Sequence, residues 1–363
     1  MRKTGVFLLA LLMLIIGILI GYSLAPYKQA GIKPTSVSEE VVPKHEVSAK
    51  TESMWKLKWE RKFDYPVDRV VISPNGQYIF GEIFERTPVV KYFWFFLSTN
   101  GSLLWIKEPD HWIGPFPPSV NDDGIVLLPI ESPGRVSIMW LDAEGKLARN
   151  LSISVEDFSS SYVQGVPSGD EIIAISWDKI GLLDLDGKER WHWRCLSPIR
   201  GFSISADGRY IAVVDDSWIY LLDRSGELIF DKNLREELEK ISENHVIELA
   251  LSASFIPSKD VLLVASGSHY YDGGFFGLLD LNGSWLLKPQ RINYSVYGED
   301  LAVSKDYFFT FLGKHVYVYD YSGRLLQTIT VREEVNDVAS TPDGRYLVVA
   351  SEDMRVYLYE KIG

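Results

Sequence analysis

The sequence has one cysteine, Cys195, so no intrachain disulfide can form and no cysteine-based metal site exists. It has no cluster of Lys and Arg in its globular part. Against 49 Asp and Glu there are 37 Lys and Arg, a formal charge of -12. Nucleic acid is therefore a poor partner, because phosphate neutralisation needs clustered cations. The six histidines stand singly, with no paired metal-ligand spacing. There is no phosphate-binding glycine loop, no G-x-S-x-G elbow and no H-E-x-x-H. The adjacent pairs Asp122-Asp123 and Asp215-Asp216 flank strands, where alternate side chains point to opposite faces, so neither pair should act on one substrate. No cofactor and no enzyme activity are expected.

Long apolar runs are also missing, with one exception. VFLLALLMLIIGILIGYSLA, residues 6–25, carries no charge and spans about 30 Å as a helix, one bilayer core. It reads as a membrane anchor. A cleaved signal segment is the competing reading, and its apolar region is usually shorter. Residues 1–5 are a short basic N-terminus, and Arg2 and Lys3 favour a cytoplasmic N-end with the bulk of the protein outside. Residues 26–54, rich in Pro, Ser, Lys and Glu, read as a flexible tether. Asn-x-Ser sequons at Asn100, Asn150, Asn282 and Asn293 agree with an external location as candidate N-glycosylation sites. Two of them are Asn-Gly-Ser, which turn chemistry also selects.

What fills residues 55–363 is repetition. LLDLDGKERW, at 182–191, returns in variant form with its glycine at 101, 145, 226, 283 and 323. A truncated copy, VYLYEKIG, stops at Gly363 with Glu360 in the Asp position. A second motif alternates with it: VVISPNGQYIF at 70–80, FSISADGRYIAVV at 202–214, VASTPDGRYLVVA at 338–350, and four looser versions. Each motif joins two apolar runs of strand period through a tight turn. Glycine supplies the positive φ, and the Asp three residues earlier can accept the turn's own amides. These aspartates are read as structural.

Seven units of two hairpins give about 44 residues each, the period of a four-stranded propeller blade. The turns SPNG, SADG and TPDG, and D-x-D-G-K-x-x-W at 184–191, resemble those of the WD-repeat and quinoprotein-like (PQQ-like) β-propellers. No unit carries a Trp-Asp dipeptide at the end of its third strand, and PQQ-type turns usually have one more residue between Asp and Gly. The resemblance implies an all-β, seven-bladed propeller. The last unit lacks its fourth strand, and MWKLKWERKF at 54–63 should supply it and close the ring, removing two free sheet edges. PQQ dehydrogenases use eight blades and dedicated ligands that have no counterpart here. Hydrolases built on a propeller carry a further α/β domain.

The repeated turns should share one face, and the variable connections the other, where binding usually sits. On that side fall Trp112, Trp193 with Arg200, and Tyr270 and Tyr271, candidate contacts for a protein partner or a surface glycan. Asp68, Glu299, Asp300 and Asp337 stand near the starts of inner strands and are candidate ligands for a cation such as Ca²⁺; a solvated acidic rim is the competing reading. NLREELEKISEN, 233–244, has helical spacing and an Asn233–Glu236 capping pattern. The expected function is an extracytoplasmic, membrane-anchored interaction scaffold. The alternatives are a carbohydrate or surface-ligand module, and a metal-dependent or quinoprotein-like enzyme.

Overall fold

The computed structural model of the chain describes residues 54–85, 91–109, 118–132, 135–154, 162–165, 171–239, 250–267, 274–292 and 301–362. All lie in a unit running from Glu52 to Gly363. Their strands form seven antiparallel four-stranded sheets, the blades of a β-propeller. With strands a to d in order, blade 1 is Val67–Ile72, Tyr78–Glu85, Lys91–Ser98 and Leu103–Lys107. Blade 2 is Ser119–Val120, Val126–Ser132, Arg135–Leu141 and Leu147–Ser154. Blade 3 is Tyr162–Gly165, Glu171–Ile175, Lys179–Asp184 and Glu189–Arg194. Blade 4 is Gly201–Ile204, Tyr210–Val214, Trp218–Asp223 and Leu228–Asn233. Blade 5 is Ala250–Phe255, Val261–Gly267, Gly274–Asp280 and Trp285–Ile292. Blade 6 is Ala302–Val303, Tyr307–Leu312, His315–Asp320 and Leu325–Thr330. Blade 7 takes Val335–Ser340, Tyr346–Ser351 and Arg355–Lys361 from the end of the chain. Its strand d is Trp55–Lys62, paired antiparallel with Arg355–Lys361.

Strands b and c are buried on both faces, so they read as continuous apolar runs rather than alternating ones. Period-2 geometry still sorts their side chains. In blade 4, Ile211 and Val213 pack towards blade 3, while Ala212 and Val214 pack towards blade 5. Seven such apolar clusters fill the seven junctions, including one between blade 7 (Tyr346, Val348, Leu358) and blade 1 (Ile79, Phe95, Leu97). The short helix Leu234–Glu239 follows blade 4. Asn233 caps it by accepting the Glu236 amide at 3.1 Å, and Leu234 and Leu238 are buried against blades 4 and 5. The rest of the expected 233–244 segment lies outside the described residues. Among the described residues no helix is long and apolar enough to cross a membrane. The stretch 6–25 lies outside them.

The c–d turns explain the repeated sentence. All six glycines have φ between +74° and +90°, and each donates its amide to the residue three earlier. The register slips at the end of strand c in each of these hairpins, the mark of a tight turn followed by a glycine bulge. The Asp Oδ1 accepts two amides of its own turn: Asp223 takes those of Ser225 (2.8 Å) and Glu227 (3.0 Å), and Asp142, Asp184, Asp280 and Asp320 do likewise. In blade 1 Asn100 accepts the Ser102 amide at 2.9 Å instead.

The aromatic that ends the motif belongs to the next blade's turn. Trp191 of blade 3 donates its indole to the Arg224 carbonyl of blade 4 (2.8 Å) and covers Gly226. Trp105 of blade 1 donates to Ala143 of blade 2 (3.1 Å) over Gly145. Trp59 of blade 7 donates to Thr99 of blade 1 (2.8 Å) over Gly101. Phe230 of blade 4 covers Gly283 of blade 5 without a hydrogen bond to offer. The motif thus links neighbouring blades as well as turning a hairpin.

Candidate interaction site

The b–c and d–a connections of blades 3 and 4 build one patch on the face opposite the glycine turns. The loop Ser176-Trp177-Asp178 joins strands b and c of blade 3. Cys195 to Arg200 joins blade 3 to blade 4. Two backbone bonds sew them together: Cys195 donates to the Asp178 carbonyl (2.7 Å) and Ile199 to the Trp177 carbonyl (2.8 Å). The blade 4 loop Asp215-Asp216-Ser217 lies alongside, with the Asp216 amide donating to Ser197 Oγ at 3.2 Å. Buried Asp215 holds that loop, accepting the amides of Ser217 (2.9 Å) and Trp218 (2.7 Å) and the hydroxyl of Tyr220 (2.9 Å). Burial, and then that hydrogen bond, push the Tyr220 hydroxyl well above its usual range, so it stays a donor.

Two large apolar side chains stand out of this patch: Trp177 is 65% exposed and Leu196 80% exposed. Around them Arg194 grips both carboxylate oxygens of Asp178 (2.9 and 2.8 Å), and Arg200 bonds Asp216 (2.6 Å). The patch has apolar anchors, an ion-paired rim and a backbone tied at several points. Such a surface can seat an apolar side chain with little ordering cost. Cys195 is buried beneath it, and that burial pushes its thiol far above the usual range.

The residues singled out in the sequence fall unevenly. Arg200 is on the patch. Trp193 is half-buried, its ring 4.6 Å from that of Tyr220 in the core between blades 3 and 4. Trp112, Tyr270 and Tyr271 lie outside the described residues, as do Glu299, Asp300 and Asn293. Asp68 is half-buried on the inner strand of blade 1. Asp337 serves as a tie between inner strands, accepting the Val70 amide of blade 1 (2.8 Å) and the Val338 amide (2.7 Å). Among the described residues no three His, Cys, Asp or Glu come together as a metal site. Asn100, Asn150 and Asn282 are exposed, Asn100 and Asn282 in c–d turns.

Trp177 and Leu196 escaped the sequence reading. The signal for Trp177 was a bulky aromatic inside a three-residue turn, S-W-D, between two apolar strands. The denser WHWR drew attention instead, and its tryptophans belong to packing. Leu196 has no local signal.

Residues 323–360 match the family of the WD domain, G-beta repeat (WD40). The matched stretch runs from the c–d turn of blade 6 through its strand d, then through strands a, b and c of blade 7. No curated protein matches the chain. The fold and this match make the chain similar to WD-repeat propellers, which commonly act as protein-interaction scaffolds.

Proposed function

We propose that this propeller is a membrane-anchored interaction scaffold that seats a protein partner on its loop face, with Trp177 and Leu196 as anchors. The observation that carries the reading is the exposure of two large apolar side chains together on loops that the blade's own backbone bonds hold in place. The ring that presents them is read as closed by Trp55–Lys62, a reading supported by the pairing with Arg355–Lys361 and by the apolar junction of blades 7 and 1. The anchor reading rests on the uncharged stretch 6–25, and the external location on Arg2 and Lys3 and on the sequons. Glycans at Asn100 and Asn282 would stand on the turn face and leave the loop patch clear.

The test is mild-detergent purification from native membranes, comparing the natural chain with Trp177→Ala/Leu196→Ala. A stoichiometric companion that disappears from the double variant, while its unfolding curve is unchanged, supports the scaffold. The same companion on both proteins sinks this patch as its seat. A second reading, a surface-glycan module, draws on the exposed indole of Trp177, since aromatic faces stack on sugar rings. Binding to a glycan array by the natural chain, lost in Trp177→Ala, would favour it.

A further inference from the structure

In every blade the fifth residue of the strand b run, counted from the a–b turn, faces the next blade. In blades 2 to 7 that position holds Pro129, Ile175, Val214, Ala265, Phe311 and Ala350, all buried. Blade 1 has Glu82 there, only 1% exposed. Its Oε1 forms no hydrogen bond of good geometry, and the indole of its buried cross-strand neighbour Trp94, though near enough to favour the carboxylate, forms none either. Phe80 and Trp94 on the same face pack against Val126, Leu128 and Ile130 of blade 2. A carboxylate in such a setting is costly, whereas the neutral acid is tolerated. A local choice that contradicts the pattern of six equivalent positions marks function rather than packing.

We propose that Glu82 is a proton-operated switch in the packing of blade 1 against blade 2, holding the junction tight when protonated and loosening it when ionised. The groups around it are few. Strand a brings Asp68 and Arg69, the latter directly opposite Glu82, and strand c brings Tyr92 and Trp94. From blade 2 the described neighbours are apolar. Burial raises the carboxyl from 4.5 to about 7; Asp68 pushes the same way, and Arg69 and Trp94 oppose. The folded pKa lies above the unfolded one, and the group is an acid. Its ionised form is therefore penalised in the fold. Stability from this site is full below about 4.5, declines as pH rises to about 7, and stays low above. The switch works around neutral pH.

The experiment is urea unfolding of the full chain in detergent from pH 4.5 to 8.5, for the natural protein, Glu82→Gln and Glu82→Ile, with amide hydrogen exchange of blades 1 and 2 at both ends of the range. The expected result is a folding constant that falls, relative to either variant, by roughly two orders of magnitude between pH 4.5 and 7 and then levels. Faster exchange should appear at high pH in strands b and c of blade 1 and the facing strands of blade 2, and not in the variants. Parallel pH curves for the natural chain and Glu82→Gln overturn the switch. So does a difference in exchange spread evenly over all seven blades. Failure of both neutral variants to fold at any pH would overturn it too, since the proposal requires a neutral side chain to fit.

Discussion

The two faces of this propeller are built by opposite rules. On the turn face one device is used over and over: a glycine bulge in blades 1 to 6, a carboxylate folded onto its own amides in blades 2 to 6, and in all of these but blade 3 an aromatic from the preceding blade covering the glycine. On the loop face what repeats is a backbone tie: the residue after strand d donates to the b–c loop in blades 3, 4, 6 and 7, through Cys195, Leu234, Val331 and Phe63. The described side chains of these connections differ, and Trp177 and Leu196 point to solvent. The turn device recurs because it also seats one blade on the next. The side chains of the loop face are free of that demand, and loops of that kind are where binding usually sits.

The comparison breaks first at Gly226. Its φ is +87°, and a Cβ there would lie 2.6 Å from the Trp191 ring. Gly226→Val should cost about 3 kcal/mol, combining backbone strain with overpacking, as read by urea unfolding. Asp223→Ala, which leaves the Ser225 and Glu227 amides without their acceptor, should cost about 1–2 kcal/mol in the same assay. A Trp177→Ala chain should unfold within about 0.5 kcal/mol of the natural one. That last result sharpens the contrast if partner capture is lost at the same time. A large loss of stability from Trp177→Ala would instead make the loop face part of the structural frame.

Acid sharpens it further. The Arg209 amide first, then the Arg209 guanidinium and the Ser205 hydroxyl, hold the Asp207 carboxyl down at about 2 against the opposing cost of burial. Its folded pKa is below the unfolded 3.8, so its contribution is present above about 4 and is lost as pH falls towards 2. Asp223 and Asp320 are lowered in the same sense. Asp207→Asn should flatten part of the acid limb of stability, by a small amount because the group is exposed. The turn face should therefore loosen in acid, whereas the Glu82 junction should tighten. Chemical shifts of turn glycines and of blade 1 amides, followed over one pH series, would separate the two. Loosening of both at the same pH would contradict the assignment.

The tryptophans show why the site was harder to read than the fold. WHWR looked like a binding cluster because aromatics outside a core invite that reading. Trp191 is instead the cover of the next turn, and Trp193 packs on Tyr220. Their partners lie about thirty residues along the chain, in another blade, and nothing local announces them. Glu82 has the same character. In the sequence it is one acid in an amphipathic-looking YIFGEIFE. Only alignment with the six equivalent strands makes it an exception.

The sequence by itself determined the architecture: the number of units, the two hairpins in each, the face that carries the glycine turns, and the strand at 55–62 set aside for the last blade. These follow from local rules, the period of strands and the φ of a turn glycine, which act over a few residues and repeat. Tertiary structure alone decided which aromatics are core and which are exposed, that Asp337 ties two blades, and that Glu82 is buried with one oxygen unsatisfied. Those outcomes depend on which blade stands beside which, and contacts between blades join residues too far apart in sequence for any local pattern to encode.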